Sequence, residues 1–163
     1  MNTTTPDALV IKMLLNAWHN ENKRITDLIT NLTDEQLAAE TAPGRNTGMY
    51  LLGHLAAVND NLFKLLTSSE RLHPELDVVF LHSKDKSGKP MPSATELKAY
   101  WNEINAGLSA IFNAMQPTDW MERHNSVSAE DFAKEPHRNK LNVIISRTIH
   151  QSYHLGQMNY LKK

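Results

Sequence analysis

The sequence predicts an all-α protein, a four-helix bundle whose helices follow an up-down-down-up path. Four stretches carry apolar residues at steps of three and four, which is the spacing of one helix face. No stretch shows the alternation of a β-strand, so these faces must be buried against one another. Long connections separate the second helix from the third and the third from the fourth. A connection of that length can run along the bundle and join parallel helices.

The first helix is predicted over about residues 8 to 31. Its apolar face is interrupted at Glu21 and Asn22, where the helical spacing calls for an apolar residue. After the helix, Thr33 and Gln36 have the spacing of a capping box, which predicts a short helical turn. The apolar row consists of Leu14, Trp18, Ile25, Leu28 and Leu32.

The second helix is predicted over about residues 48 to 67, with Asn46 or Thr47 as its N-cap. His54 lies beside its apolar row and not opposite to it. The long connection over residues 68 to 92 is marked by serine, proline and glycine, which indicate irregular structure. The apolar row of this helix consists of Leu51, Leu55, Val58, Leu62 and Leu65.

The third helix begins at a capping box formed by Ser93 and Glu96 and runs to Pro117. A second irregular connection follows over about residues 117 to 138, and the last helix is predicted over 141 to 161. The apolar row of the third helix consists of Leu97, Trp101, Ile104, Leu108, Ile111 and Met115.

The composition limits the classes of function. The chain has 163 residues, 40% of them apolar, which fits a single domain over residues 1–163. A net charge of −1 supplies no basic field for nucleic acid or an anionic membrane, so neither is an expected partner. The N-terminal segment lacks the features of a secretory signal, and no apolar run approaches the ~20 residues that span a bilayer. We therefore expect a cytoplasmic protein.

The absence of cysteine and the presence of eight histidines limit the chemistry further. Disulfides, thiolate metal sites and a cysteine nucleophile are excluded, so any metal must be held by nitrogen and oxygen. His150 and His154 are four residues apart on one helix face. Roughly 0.4 such pairs are expected by chance among eight histidines, so the pair alone is weak support for a site.

His54 strengthens the prediction, because the proposed topology makes the second and fourth helices antiparallel and brings His54 to the level of the pair. Gly53 and Gly156, which are costly inside helices, predict a close approach there. Three neutral imidazoles would hold a divalent ion, zinc or nickel, with positions left open to water. No glutamate follows His150 directly, so the HExxH motif of zinc peptidases is missing.

The segments GMYLLGHLAAVND, LTDEQL and HQSYHLGQMNYL resemble the DinB-like superfamily of metalloenzymes. The metal triad of that family has one histidine on the second helix and two on the fourth, followed by Gly-Gln. The resemblance places these ligands at His54, His150 and His154, with Gly156 and Gln157 at the end of the motif. It implies a bound divalent metal, a homodimer and, in some relatives, transfer or isomerisation reactions that use a low-molecular-weight thiol.

These observations predict a metal-dependent enzyme acting on a small molecule, either a transferase that uses a low-molecular-weight thiol or a hydrolase. A tris-histidine ion lowers the pKa of a bound water or thiol. Since the chain has no cysteine, the thiol must arrive as a cosubstrate. The alternatives are a non-catalytic stress-related or interaction bundle with a structural metal, and a metal-free bundle with core histidines.

Residues at the same height along the bundle as the triad are expected to lie near it. Glu21 and Tyr50 are candidate catalytic residues, Glu21 as a general base or as an acceptor behind the ligands. Arg147 lies one turn before His150. We expect it either to contact an anionic substrate or to lie at the surface or at a dimer contact. The residues predicted to line the pocket or support the ligands are Asn22, Tyr100, Trp101 and Gln157. For Tyr50 and Trp101 the alternative is a place in the core, and for Glu21 a solvated flank.

The other histidines lie on the polar side of the first helix or in connections, and we do not expect them to bind metal; they are His19, His73, His82, His124 and His137. Several apolar residues exceed what one small core requires, which makes a homodimer plausible; they are Met13, Met49, Leu66, Phe80 and Leu81.

Overall fold

The computed structural model describes residues 5–162, which form a bundle of four long helices with short helices in the connections. No strand is present in that range. The long helices are α1 (Pro6–Asn31), α3 (Gly48–Leu66), α5 (Ala94–Ala114) and α8 (Lys140–Met158). The short ones are α2 (Asp34–Ala38), α4 (Leu76–Phe80), α6 (Pro117–Trp120) and α7 (Ala129–Lys134), and a 3-10 turn, Asn159–Leu161, follows α8.

Side-chain caps set where the long helices begin. Thr5 accepts a hydrogen bond from the N–H of Ala8, so α1 begins two residues earlier than predicted, with Pro6 in its first turn. The open choice of N-cap for α3 is decided for Thr47, whose hydroxyl accepts from the N–H of Tyr50. The capping boxes predicted before α2 and α5 are both present.

Contacts between the long helices confirm the up-down-down-up path. Asn59 and Asn105 form a hydrogen bond, and a Cβ added at Gly107 would lie 2.8 Å from the ring of Phe63. Both pairs advance in the same direction along α3 and α5, so these two helices are parallel. His54 in α3 meets His150 and His154 in the second half of α8. Val58, further along α3, lines a cavity with Arg147, earlier in α8, so α3 and α8 are antiparallel, as the predicted site requires.

The core consists largely of the predicted apolar rows. Four residues of these rows are only partly buried: Leu14, Leu65, Ile111 and Met115. Next to two of them, at Leu66 and Phe112, the following residue is buried instead, a shift of one residue or about 100° around the helix axis. Phe112 packs edge-on against Trp120 with ring centroids 5.2 Å apart, so the connection predicted to be irregular contributes α6 to the core.

The 68–92 connection is anchored to α3 by a buried ion-pair network. The carboxylate of Asp60 is fully buried and accepts hydrogen bonds from Arg71 Nε at 3.0 Å and from the N–H groups of Leu72 and His73. Asp77 accepts two further bonds from the Arg71 guanidinium, at 2.6 and 2.7 Å. The network holds the chain that leads into α4, which packs on α3.

The ring of Phe80 at the end of α4 lies directly over Gly53. A Cβ added at Gly53 would be 2.3 Å from Cε1 of Phe80, so the close approach predicted at this glycine is confirmed, with α4 as the neighbour. The corresponding prediction at Gly156 is wrong, because a Cβ there would have no neighbour within 4 Å. Gly53 therefore permits a contact that a larger residue would block.

Gly53→Ala is expected to lower the free energy of unfolding by about 1–3 kcal/mol, because the Phe80 ring must move to admit the methyl group. Gly156→Ala is the matched control. It replaces glycine inside a helix with open space around it, and is expected to raise stability by roughly 0.5–1 kcal/mol. Urea denaturation of both variants checks the prediction, and equal effects at the two positions would contradict it.

The apolar residues behind the homodimer prediction are mostly inside the bundle. Leu66 and Phe80 belong to the core, and Met49 and Leu81 pack partly buried against it. Met13 is 62% exposed. Of these five residues, Met13 is therefore the one that is exposed. The homodimer stays a prediction. Within residues 5–162, no helix is both long and apolar enough to cross a membrane.

Candidate metal centre

Three imidazoles meet in the groove between α3 and α8. Nε2 of His150 lies 3.2 Å from Nε2 of His54 and 3.0 Å from Nε2 of His154. All three side chains are partly buried, and their ligand atoms lie within 4.8 Å of one another. Within the described chain this is the one group of three or more potential ligands that could hold a metal ion.

The hydrogen bonds on the far side of the rings determine which nitrogens face the common point. Nδ1 of His54 is 2.9 Å from the carbonyl oxygen of Phe80, which only accepts, so this nitrogen carries the hydrogen. Nδ1 of His154 donates in the same way to Oε1 of Gln157 at 2.7 Å. In the tautomers that these two bonds select, Nε2 of each ring carries a lone pair directed towards His150.

A cation fits this arrangement better than a proton does. A hydrogen on Nε2 of His150 can point at one of the two neighbouring lone pairs but not at both. The remaining contact, at about 3 Å, would then leave the lone pair of one neighbouring Nε2 atom without a hydrogen. A divalent ion at the common point would satisfy all three nitrogens, and zinc and nickel both accept imidazole ligands.

The environment also keeps two of the rings neutral. Burial lowers the pKa of His150 to about 4, and the charges of His154, His54 and Arg147 act in the same direction. Burial likewise lowers the pKa of His154, against the opposing hydrogen bond to Gln157. Because metal ligands must be deprotonated, both rings are prepared to bind an ion near neutral pH.

The metal-free protein is expected to lose stability as the pH falls from 6.5 to about 4. In that window the unfolded chain binds a proton at His150 and the folded chain does not, so protons favour unfolding. Urea denaturation of metal-free protein at several pH values checks this. His150→Gln should show a shallower loss than the wild type over the same window, and identical slopes would contradict the prediction.

Tyr50, a predicted catalytic candidate, lies against the triad with its hydroxyl engaged elsewhere. Its ring stacks on His54 with the planes 9° apart, and its hydroxyl donates to the carbonyl of Ser83 at 2.7 Å. Burial raises the pKa of Tyr50, and the charge of Asp85 adds to the shift. The phenol therefore keeps its proton at neutral pH and can donate it in a hydrogen bond, but does not serve as a phenolate base.

Glu21 and Asn22 lie on α1, and neither is hydrogen-bonded to the triad within residues 5–162. Oε1 of Glu21 accepts from Arg24 at 2.7 Å, while its Oε2 is buried without a partner in the described chain. Asn22 is buried and faces Gln151 at 3.4 Å in the centre of the bundle.

The two aromatic residues predicted on the third helix contact other parts of the fold. Tyr100 packs on His73 with ring centroids 4.0 Å apart. Trp101 is fully buried and its indole N–H donates to Thr26 at 2.9 Å. The level of a residue along the bundle follows from sequence spacing, but the side it faces depends on the rotation of the helix.

Sequence reasoning missed the carbonyl of Phe80, which orients His54. A backbone acceptor leaves no side-chain signature in the sequence. The available signal was the apolar run Leu76–Leu81 inside a segment taken as irregular. Helical spacing within that run brings Phe80 onto α3 and its carbonyl onto the imidazole.

A sequence model of the DinB superfamily matches residues 17–158 of the chain. The match runs from the middle of α1 to the end of α8 and includes all three histidines of the triad. No curated protein matches the chain.

Proposed function

Because this chain belongs to the DinB superfamily and directs three imidazole nitrogens at one point, we propose that it is a divalent-metal-dependent enzyme. The main support for the proposal is the pair of hydrogen bonds made by Nδ1 of His54 and of His154, to the Phe80 carbonyl and to Gln157. These bonds leave both Nε2 atoms facing His150. Three protein ligands leave coordination positions open, as in catalytic sites, whereas structural zinc sites are closed by four ligands. The proposed ion is zinc or nickel.

The proposed reactions are group transfer with a low-molecular-weight thiol, or hydrolysis, on a small-molecule substrate. A divalent ion held by the triad would supply a water or thiol nucleophile of lowered pKa. The chain holds no cysteine, so the thiol comes from solution. Tyr50, whose phenol keeps its proton, is the candidate donor beside His54, and it would exchange its bond to Ser83 for one to the substrate. Glu21 stays a candidate base.

Elemental analysis of protein purified without chelator or affinity-column nickel tests the site. We expect metal in the wild type and a loss of metal in His150→Ala. His124→Ala is the control, because His124 lies in a connection and its imidazole accepts a hydrogen bond from the N–H of Ser126. Equal metal in wild type and His150→Ala would refute the assignment.

Reactivity separates an enzyme from a bundle with a structural ion. Metal-loaded wild type is expected to turn over a member of a panel of thiol acceptors, isomerisable substrates and hydrolysable esters or amides, and His150→Ala is not. A metal-loaded protein that is inert towards the whole panel, and that unfolds when the metal is removed, would instead support the structural role.

A further inference from the structure

We propose that the cavity next to the histidine triad is a subsite for a carboxylate of the substrate, with Arg147 as its binding residue. This deepens the proposed function, since it assigns the substrate to the anionic small molecules. The anion site itself is argued from the residues of the cavity alone. It therefore does not depend on the presence of the metal.

The cavity has residues of α3 and α8 in its lining, the two helices that carry the triad. It has a volume of about 360 Å³ and is lined from α3 by Val58, four residues after His54. From α8 it is lined by Arg147, three residues before His150. The nearest part of the cavity, at Val58 and Arg147, thus lies about one helical turn from the triad, which is about 5.4 Å along each helix. The volume falls in the range of small-molecule sites.

Arg147 has no protein partner in the described chain. None of the ion pairs within residues 5–162 includes it, and its Nε atom is buried without a hydrogen bond. Arg71, whose side chain is 10% exposed, has both Asp60 and Asp77 as partners. An Nε–H group removed from water without an acceptor is costly, and the rest of the guanidinium is only partly buried, so Arg147 is prepared to accept an anion from a ligand.

The charges around the cavity favour the same ligand. The lining contains a second cation, Lys64, together with amide side chains, and no acidic residue. Lys64 is exposed at the rim, whereas Arg147 is partly buried. Guanidinium binds carboxylate through two parallel N–H···O bonds, which fixes orientation as well as charge.

The part of the lining that comes from the connection before α7 is held by hydrogen bonds to α3. Asn125 donates through its backbone N–H to the carbonyl of Leu65 at 2.9 Å, and through its side chain to the carbonyl of Lys64 at 2.7 Å. These bonds tie the connection before α7 to the C-terminal end of α3. A ligand therefore enters a formed cavity and does not have to order this loop, which reduces the entropy lost on binding.

Binding of propionate and of neutral propionamide to the metal-free protein, followed by NMR titration, tests the inference. We expect propionate to bind about tenfold or more tightly than propionamide, because hydrogen bonds to an ionised acceptor are stronger than those to a neutral amide. Arg147→Gln should abolish the preference. Arg147→Lys should retain part of it, since the charge remains and the paired geometry is lost. Arg45→Gln, at an exposed loop position, should leave it unchanged.

Equal binding of the two probes to the wild type, or an unchanged preference in Arg147→Gln, would overturn the inference. Circular dichroism shows whether Arg147→Gln is folded. If it is not, Lys64→Gln at the exposed rim decides: a several-fold weaker binding of propionate supports the site, and no change refutes it. Elemental analysis of the wild type as purified, before metal is removed for the titration, keeps the two proposals apart, because propionate selectivity in a protein that retains no metal on purification would refute the metalloenzyme and leave the anion site supported.

Discussion

Asp60→Ala is expected to lower the free energy of unfolding by about 3–5 kcal/mol, because it leaves the Arg71 guanidinium short of a buried partner. The same carboxylate accepts the N–H groups of Leu72 and His73, and these also lose their acceptor. The Asp77 pair remains and limits the loss. Urea denaturation at pH 7 measures the effect.

Asp27→Ala is the control for this variant. Asp27 pairs with Lys23 at 2.6 Å on the surface of α1, where 57% and 72% of the two side chains are exposed. An exposed pair of this kind contributes about 0.3–0.5 kcal/mol. Asp60→Ala should in addition reduce metal retention, since the network holds the segment that presents the Phe80 carbonyl to His54. A loss of stability no greater than that of Asp27→Ala would show that the network is unimportant.

Gln157→Ala is expected to weaken metal binding about 10–100-fold, the usual effect of removing a hydrogen-bond partner behind a metal ligand. Oε1 of Gln157 accepts from Nδ1 of His154 at 2.7 Å, which fixes the ring and keeps Nε2 free for the ion. Competition with a chromophoric chelator measures the affinity. Gln157→Glu retains an acceptor at this position and should bind metal at least as tightly as the wild type.

Tyr153→Phe distinguishes orientation of His154 from general packing around it. The Tyr153 hydroxyl accepts from Nε2 of Gln157 at 3.3 Å, and the ring lies edge-on to His154 at 5.1 Å. The phenylalanine variant keeps the ring and removes the hydroxyl, so we expect little change in affinity. Wild-type affinity in Gln157→Ala would mean that the hydrogen bond to His154 does not support the site.

The long helices were predictable because their signals are local. Apolar rows repeat at helical spacing over about 20 residues, and Thr47 and the capping box at Ser93 mark two of their starts. The short helices α4, α6 and α7 were not predicted. A helix of four to six residues is unstable in isolation, because nucleating it is unfavourable. Such helices form where tertiary contacts stabilise them, as the packing of Trp120 on Phe112 does for α6.

The histidine cluster was predictable from spacing and topology together. Residues His150 and His154 share a helix face, and the antiparallel arrangement of α3 and α8 brings His54 to their level. The same level argument selected Tyr100 and Trp101, and these pack on His73 and donate to Thr26, respectively. Height along a bundle follows from counting residues, whereas the facing direction requires the packed helices.

By itself, the sequence determined the helical class, the path of the chain, the absence of a thiolate and the three histidines that meet. These depend on residue type and on distance along the chain. Only the tertiary structure decided that the Phe80 carbonyl orients His54, that Gly53 admits α4, and that Arg147 faces a cavity without a carboxylate partner. Such contacts join residues distant in sequence, or use backbone atoms that every residue carries, so they arise from packing and leave no local pattern.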